Sequence, residues 1–106
     1  MSKLLLTVLL LSSCAGHYAR SGALMYTMQY TWTEVSRGVA QPEAMTAALE
    51  SGDVGAVAAI DWPTMRTEAE SWVNWRVSAG EIGPGVGESL MLQISLFNDA
   101  WVKLNE

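Results

Sequence analysis

From residue 23 onward, apolar residues return every three or four positions, the period of a helix with one buried face. Leu24, Met28, Trp32, Val35 and Val39 share one face of a segment covering 23–38. Gly38 and Pro42 bracket its end. Pro42 then opens a second helix, Glu43–Glu50, because proline suits a first helical turn and an acidic residue suits the positive end of the helix dipole. Ser51-Gly52-Asp53 breaks that helix, and the Asp53 carboxylate is placed to cap a short third helix reaching Ile60. Asp61-Trp62-Pro63 marks the next start, giving a fourth helix from Pro63 to Ala79. Gly80 is the residue expected to end it in a left-handed conformation. Past the glycine stretch at 83–87, the fifth helix runs from Val86 to Leu104 with the cleanest stripe in the chain: Leu90, Ile94, Phe97, Trp101 and Leu104. Alternation with a period of two does not persist beyond a few residues. The pattern therefore predicts an all-α domain over 22–106, a small antiparallel helical bundle of three longer and two short helices following an N-terminal signal segment.

Several side chains fall off these stripes. Leu92 and Leu96 lie roughly 160–240° around the fifth helix from its apolar face, at 100° per residue. Met91 and Val102 flank one side of the same helix, so it is apolar nearly all round, which marks either the centre of a bundle or a helix with an outside partner. Tyr26 and Tyr30, four apart, sit opposite the stripe of the first helix, with Arg37 nearby. Two readings stand for them: rings at lipid-headgroup level, or rings packed under a neighbouring helix. Of the five tryptophans, Trp32, Trp62, Trp72 and Trp101 fall on apolar stripes and are expected to fill the core. Trp75 falls to the side and is the surface candidate. Arg76 projects from the apolar face of the fourth helix; it is expected to extend along that surface with its head in water near the helix end, the alternative being an internal pair with Glu34 or Asp99.

The N-terminus changes the picture. Met1-Ser2-Lys3 leads into an apolar run, Leu4 to Leu11, and then Ser12-Ser13-Cys14. A basic start, a short apolar core and small residues before a cut make a secretory signal. The run is shorter than the ~20 residues needed to span a bilayer. Leu11-Ser12-Ser13-Cys14 resembles the lipobox of bacterial lipoproteins. The resemblance covers residues 1–14. It implies that residues 1–13 are removed, that Cys14 carries covalent lipid, and that the mature chain begins there. Residues 14–21 then form a lipidated tether, and the seven after Cys14 reach at most roughly 25 Å.

Composition narrows the chemistry further. About 93 residues remain after the leader, enough for one small domain. Cys14 is the only cysteine, so no disulfide within the chain supports the fold. The net charge is −5, and the basic residues Arg20, Arg37, Arg66, Arg76 and Lys103 are scattered, which argues against nucleic acid and against electrostatic docking on anionic lipid. His17 is the sole histidine, so no metal site is expected. The glycine stretch ends in Gly87-Glu88-Ser89, where a phosphate loop needs a lysine. No nucleophile motif is recognisable, and the chain reads as a non-enzyme with no cofactor beyond the lipid.

The lipobox resemblance implies a membrane-anchored lipoprotein of the cell envelope, and Ala15 after Cys14, where an aspartate favours inner-membrane retention in enteric lipoproteins, implies the outer membrane, facing the periplasm. It would act as a protein-binding or assembly factor, similar in general plan to pilotins and other secretion accessory lipoproteins. Leu92, Leu96, Trp75, Tyr26 and Tyr30 are the candidate partner-binding residues, for a protein partner or for self-association. Two alternatives stand beside this reading: a phage- or plasmid-encoded envelope lipoprotein used in lysis or superinfection exclusion, and a peptidoglycan- or glycan-binding module.

Overall fold

A computed structural model describes residues 20–106; Cys14, His17 and the leader lie outside the described residues. Helix α1 covers residues 20–35 and is followed by a 3₁₀ turn, Ser36–Gly38. Helices α2 (Glu43–Ser51), α3 (Val54–Ala58), α4 (Trp62–Ser78) and α5 (Pro84–Leu104) complete the chain. The fold is all-α, three longer helices and two short ones, with no strand among the described residues.

The helix ends follow from local chemistry. Asp53 Oδ1 accepts from the Ala56 N–H at 3.3 Å and caps α3. Asp61 caps α4, accepting from the Thr64 N–H through Oδ1 and from the Thr64 hydroxyl through Oδ2. Gly80, at φ 72°, closes α4. Its N–H reaches Val77 O and the Glu81 N–H reaches Arg76 O, the paired bonds that satisfy the last carbonyls of a helix ended by a left-handed glycine. Pro84 occupies the first turn of α5, two residues earlier than the periodicity placed the start, because its missing N–H has no intrahelical partner to lose there. At the other end of the domain, α1 already includes residues 20 and 21, which the sequence pattern assigned to the tether. Arg20 is drawn into the helix and pairs with Glu106 at 3.1 Å.

That ion pair joins the start of α1 to the residues just past α5, while Trp32 meets Phe97 farther along, at 5.3 Å between ring centroids. The two helices are therefore antiparallel. Helices α4 and α5 are antiparallel by the same logic: Trp62, at the start of α4, reaches Asn98, and Val77, near its end, faces Gly87. The core between them is Met25, Met28, Trp32, Val35, Val39, Met45, Leu49, Val57, Trp62, Val73, Leu90, Ile94 and Phe97, with Ala48, Ala69 and Ala100 where helices approach closely. Each large apolar side chain so buried stabilises the fold by about 1.5–3 kcal/mol.

Three tryptophans do more than fill space. The Trp32 indole N–H donates to Thr46 Oγ1 at 2.9 Å and fastens α2 to α1. The Trp62 N–H donates to Asn98 Oδ1 at 3.0 Å and ties α4 to α5. The Trp101 N–H donates to the Val57 carbonyl at 3.1 Å and holds α3 against the end of α5. Each ring buries apolar area and joins a different pair of elements, a use for indoles in a small bundle without disulfides.

The structure departs from the expected core at four points. Trp72 is only half-buried, its ring lying 5.4 Å from the Arg37 guanidinium and 4.8 Å from that of Arg76. Arg76 itself takes the expected course along the surface, over the ring and with its head at the helix end, where a cation is favoured; there it pairs with Glu81, and not internally with Glu34 or Asp99. Trp101 and Leu104 are half-buried, and α3 meets the last turns of α5 through the Trp101 bond to Val57. Met25 takes a buried position beside half-buried Leu24.

Candidate functional site

The five residues singled out by their angular positions occupy three helices. On α1, Tyr26 and Tyr30 are 66% and 69% exposed. No neighbouring helix covers their rings. They stack on each other instead, at 6.2 Å between centroids and 23° between planes. They continue a row of exposed uncharged positions, Ala23, Tyr26, Tyr30 and Thr33, spaced as one face of a helix.

On α5, Leu92 and Leu96 are 57% and 40% exposed, one turn apart and opposite Leu90, Ile94 and Phe97. Their neighbours on the outward face, Ser89, Ser95, Asp99 and Lys103, are exposed too. Val102 and Val86 add exposed apolar area on the same helix. Val86 was not singled out from the sequence: its angle puts it near the buried stripe. Its exposure follows from where α4 stops, since Gly87, the next residue, already meets the penultimate residue of α4.

On α4, Trp75 is 59% exposed. It lies about 200° around the helix from Val73, which faces α5, so it points away from that helix. The adjacent Trp72 carries Arg37 and Arg76 on its ring, and those cations are in turn paired with Glu34 and Glu81. Trp75 thus borders a surface of alternating charge that is internally neutralised. The i, i+4 spacing of Trp72 and Arg76 is the sequence signal for one half of this arrangement; Arg37, from another element, has none.

Grooves among the described residues are shallow. One of about 460 Å³ lies between α1 and α2, lined by Gln29, Trp32, Thr33, Thr46, Leu49 and Glu50. Its floor is already occupied by hydrogen bonds: Gln29 Nε2 donates to the Leu49 carbonyl and Trp32 to Thr46. Among the described residues, no three His, Cys, Asp or Glu side chains gather to hold a metal ion. No described helix is long and apolar enough to cross a membrane. No family model, curated protein or solved structure matches the chain.

Proposed function

We propose that this protein is a membrane-anchored lipoprotein of the cell envelope, on the outer membrane facing the periplasm, that captures a protein partner as a binding or assembly factor. The observation that carries the reading is the outward face of α5, where Leu92 and Leu96 stand exposed on the side opposite the core. Two adjacent leucines on a rigid helix present apolar area that a partner helix can cover, and covering it removes that area from water at about 25 cal/mol per Å². The leader ending in Leu11-Ser12-Ser13-Cys14 supplies the address.

The test is the double substitution Leu92→Glu, Leu96→Glu in the full chain, expressed in an envelope-bearing bacterial host. Both positions face solvent, so the monomer should melt within about 1 kcal/mol of wild type. Crosslinking in cells should lose the partner band, because carboxylates would be desolvated at the contact. Unchanged capture by a folded double mutant refutes the α5 surface. Intact mass of the extracted protein tests the address separately: acyl mass on Cys14 and absence of residues 1–13 are expected, and a free thiol refutes the anchor.

A further inference from the structure

We propose that the outward face of α1, the Ala23–Tyr26–Tyr30–Thr33 row, rests on the phospholipid surface to which Cys14 is tethered and sets the orientation of the domain on it. This rests on the lipoprotein reading above and adds a second, non-covalent contact to it.

Charge distribution selects this face. All eleven acidic residues lie at position 34 or beyond; the first 33 residues hold none. The chain carries a net charge of −5, so a nearby anionic leaflet repels most of its surface. Repulsion acts within about 8 Å at physiological ionic strength, so it matters for whichever face touches the lipid. The α1 row is outward-facing, exposed and free of acid. Its flanking charges are accounted for. Arg20 at its foot pairs with Glu106, Glu34 pairs with Arg37, and Glu50 of α2 lies to one side, across the groove that Gln29 and Thr33 line.

Ring chemistry supplies the attraction. Tyrosine is enriched at membrane interfaces because its body is apolar and its hydroxyl is wet. Tyr26 and Tyr30 stack on each other with about two-thirds of each exposed, an uncharged aromatic patch with no helix over it. Tether length supplies the proximity. Six residue steps from Cys14 to Arg20 reach at most about 20 Å, and the two rings lie about 9 and 15 Å farther along the helix. A domain held this closely meets the surface continually, and α1 is the helix nearest the anchor in sequence.

The test uses full-length, lipidated protein in vesicles of phosphatidylethanolamine and phosphatidylglycerol. Acylation occupies the Cys14 sulfur, so a cysteine introduced elsewhere is the single labelled thiol. Nitroxide labels go at Ala23→Cys and Thr33→Cys, which flank the tyrosines, and at Ser95→Cys on exposed α5 as the comparison. Accessibility to an aqueous nickel complex should fall several-fold at 23 and 33 relative to 95. Tyr26→Ser with Tyr30→Ser should restore it, with the melting temperature little changed. Positions 23 and 33 as open as 95 overturn the proposal, as does shielding that survives loss of both rings. Shielding by purified peptidoglycan instead of vesicles also overturns it. An acylated Cys14 with an open α1 row refutes the orientation alone; a free Cys14 thiol in the mature protein refutes the anchor and the orientation together.

Discussion

Gly38 is where the bundle leaves no room, and adding one methyl there should destabilise it measurably. Gly38 closes the 3₁₀ turn after α1 and backs onto α4. A Cβ built on it would stand 2.9 Å from Trp72 Cβ and 3.0 Å from Ala69 Cα. Neither neighbour can swing aside, since one is backbone and the other the root of a side chain. To restore ordinary contact at 3.4 Å the turn must retreat by about 0.5 Å. Overpacking of this kind costs about 1–3 kcal/mol. Alanine recovers about 0.4–1 kcal/mol by restricting the unfolded chain. Taking the middle of each range, about 2 kcal/mol lost and about 0.7 recovered, the net effect of Gly38→Ala is a loss of about 1.3 kcal/mol. A domain of this size shifts its melting temperature about 4–8 °C per kcal/mol, so the melt should fall by about 5–10 °C. Gly22→Ala is the matched control: it lies in α1 with nothing within 4 Å of the added Cβ. Alanine should stabilise that position by about 0.5–1 kcal/mol, raising the melt by several degrees. Circular dichroism melts of both variants check the pair. If Gly38→Ala melts at or above wild type, the close approach of the turn to α4 is not as described.

Phe97→Ala, which empties a fully buried site between Trp32 and Trp62, should cost about 3–5 kcal/mol and leave little of the fold at 37 °C, read by urea unfolding. Trp62→Phe should cost less, since a ring remains against Phe97 while the bond to Asn98 is lost; a larger loss than Phe97→Ala would refute the ranking. Asp61→Ala should remove about 1 kcal/mol by uncapping α4, and Asp61→Asn, which keeps the acceptor, should recover most of it in the same assay.

Element positions were legible in the sequence because their signals are local. Asp53 before Val54, Asp61 before Trp62 and Gly80 after the last turn of α4 act on backbone groups within a few residues, so no tertiary knowledge is needed to read them. The outward side chains were legible for a related reason. Tyr26, Tyr30, Leu92 and Leu96 stand a half-turn from stripes strong enough to fix which face is inside. What periodicity could not supply is what lies opposite a given residue. Trp72 has a core angle, yet its ring meets two arginines, one of them from the turn after α1. Ala100 and Gly87 are buried because helices approach there, not because their side chains are strongly apolar. Gly38 reads as a helix stop, and only the position of α4 gives it a second reason to be glycine.

The lipid face proposed for α1 and the partner face proposed for α5 can be engaged together, and this has a testable consequence. Helices α1 and α5 turn their buried sides to the same core, through Trp32 and Phe97, so their outward sides diverge. A bilayer under Tyr26 and Tyr30 would therefore leave Leu92 and Leu96 open to the aqueous side. The charges agree: Glu88 and Asp99 outnumber Lys103 along the leucine face of α5, where an anionic surface would be unfavourable, whereas the α1 row has no acid of its own. It follows that Leu92→Glu with Leu96→Glu should abolish partner capture while leaving the nitroxides at 23 and 33 shielded on vesicles. Tyr26→Ser with Tyr30→Ser should open those positions while the partner still crosslinks in cells. If the leucine substitutions open the α1 row, the two faces are one surface and the divergence inferred from the packing of α1 against α5 is wrong.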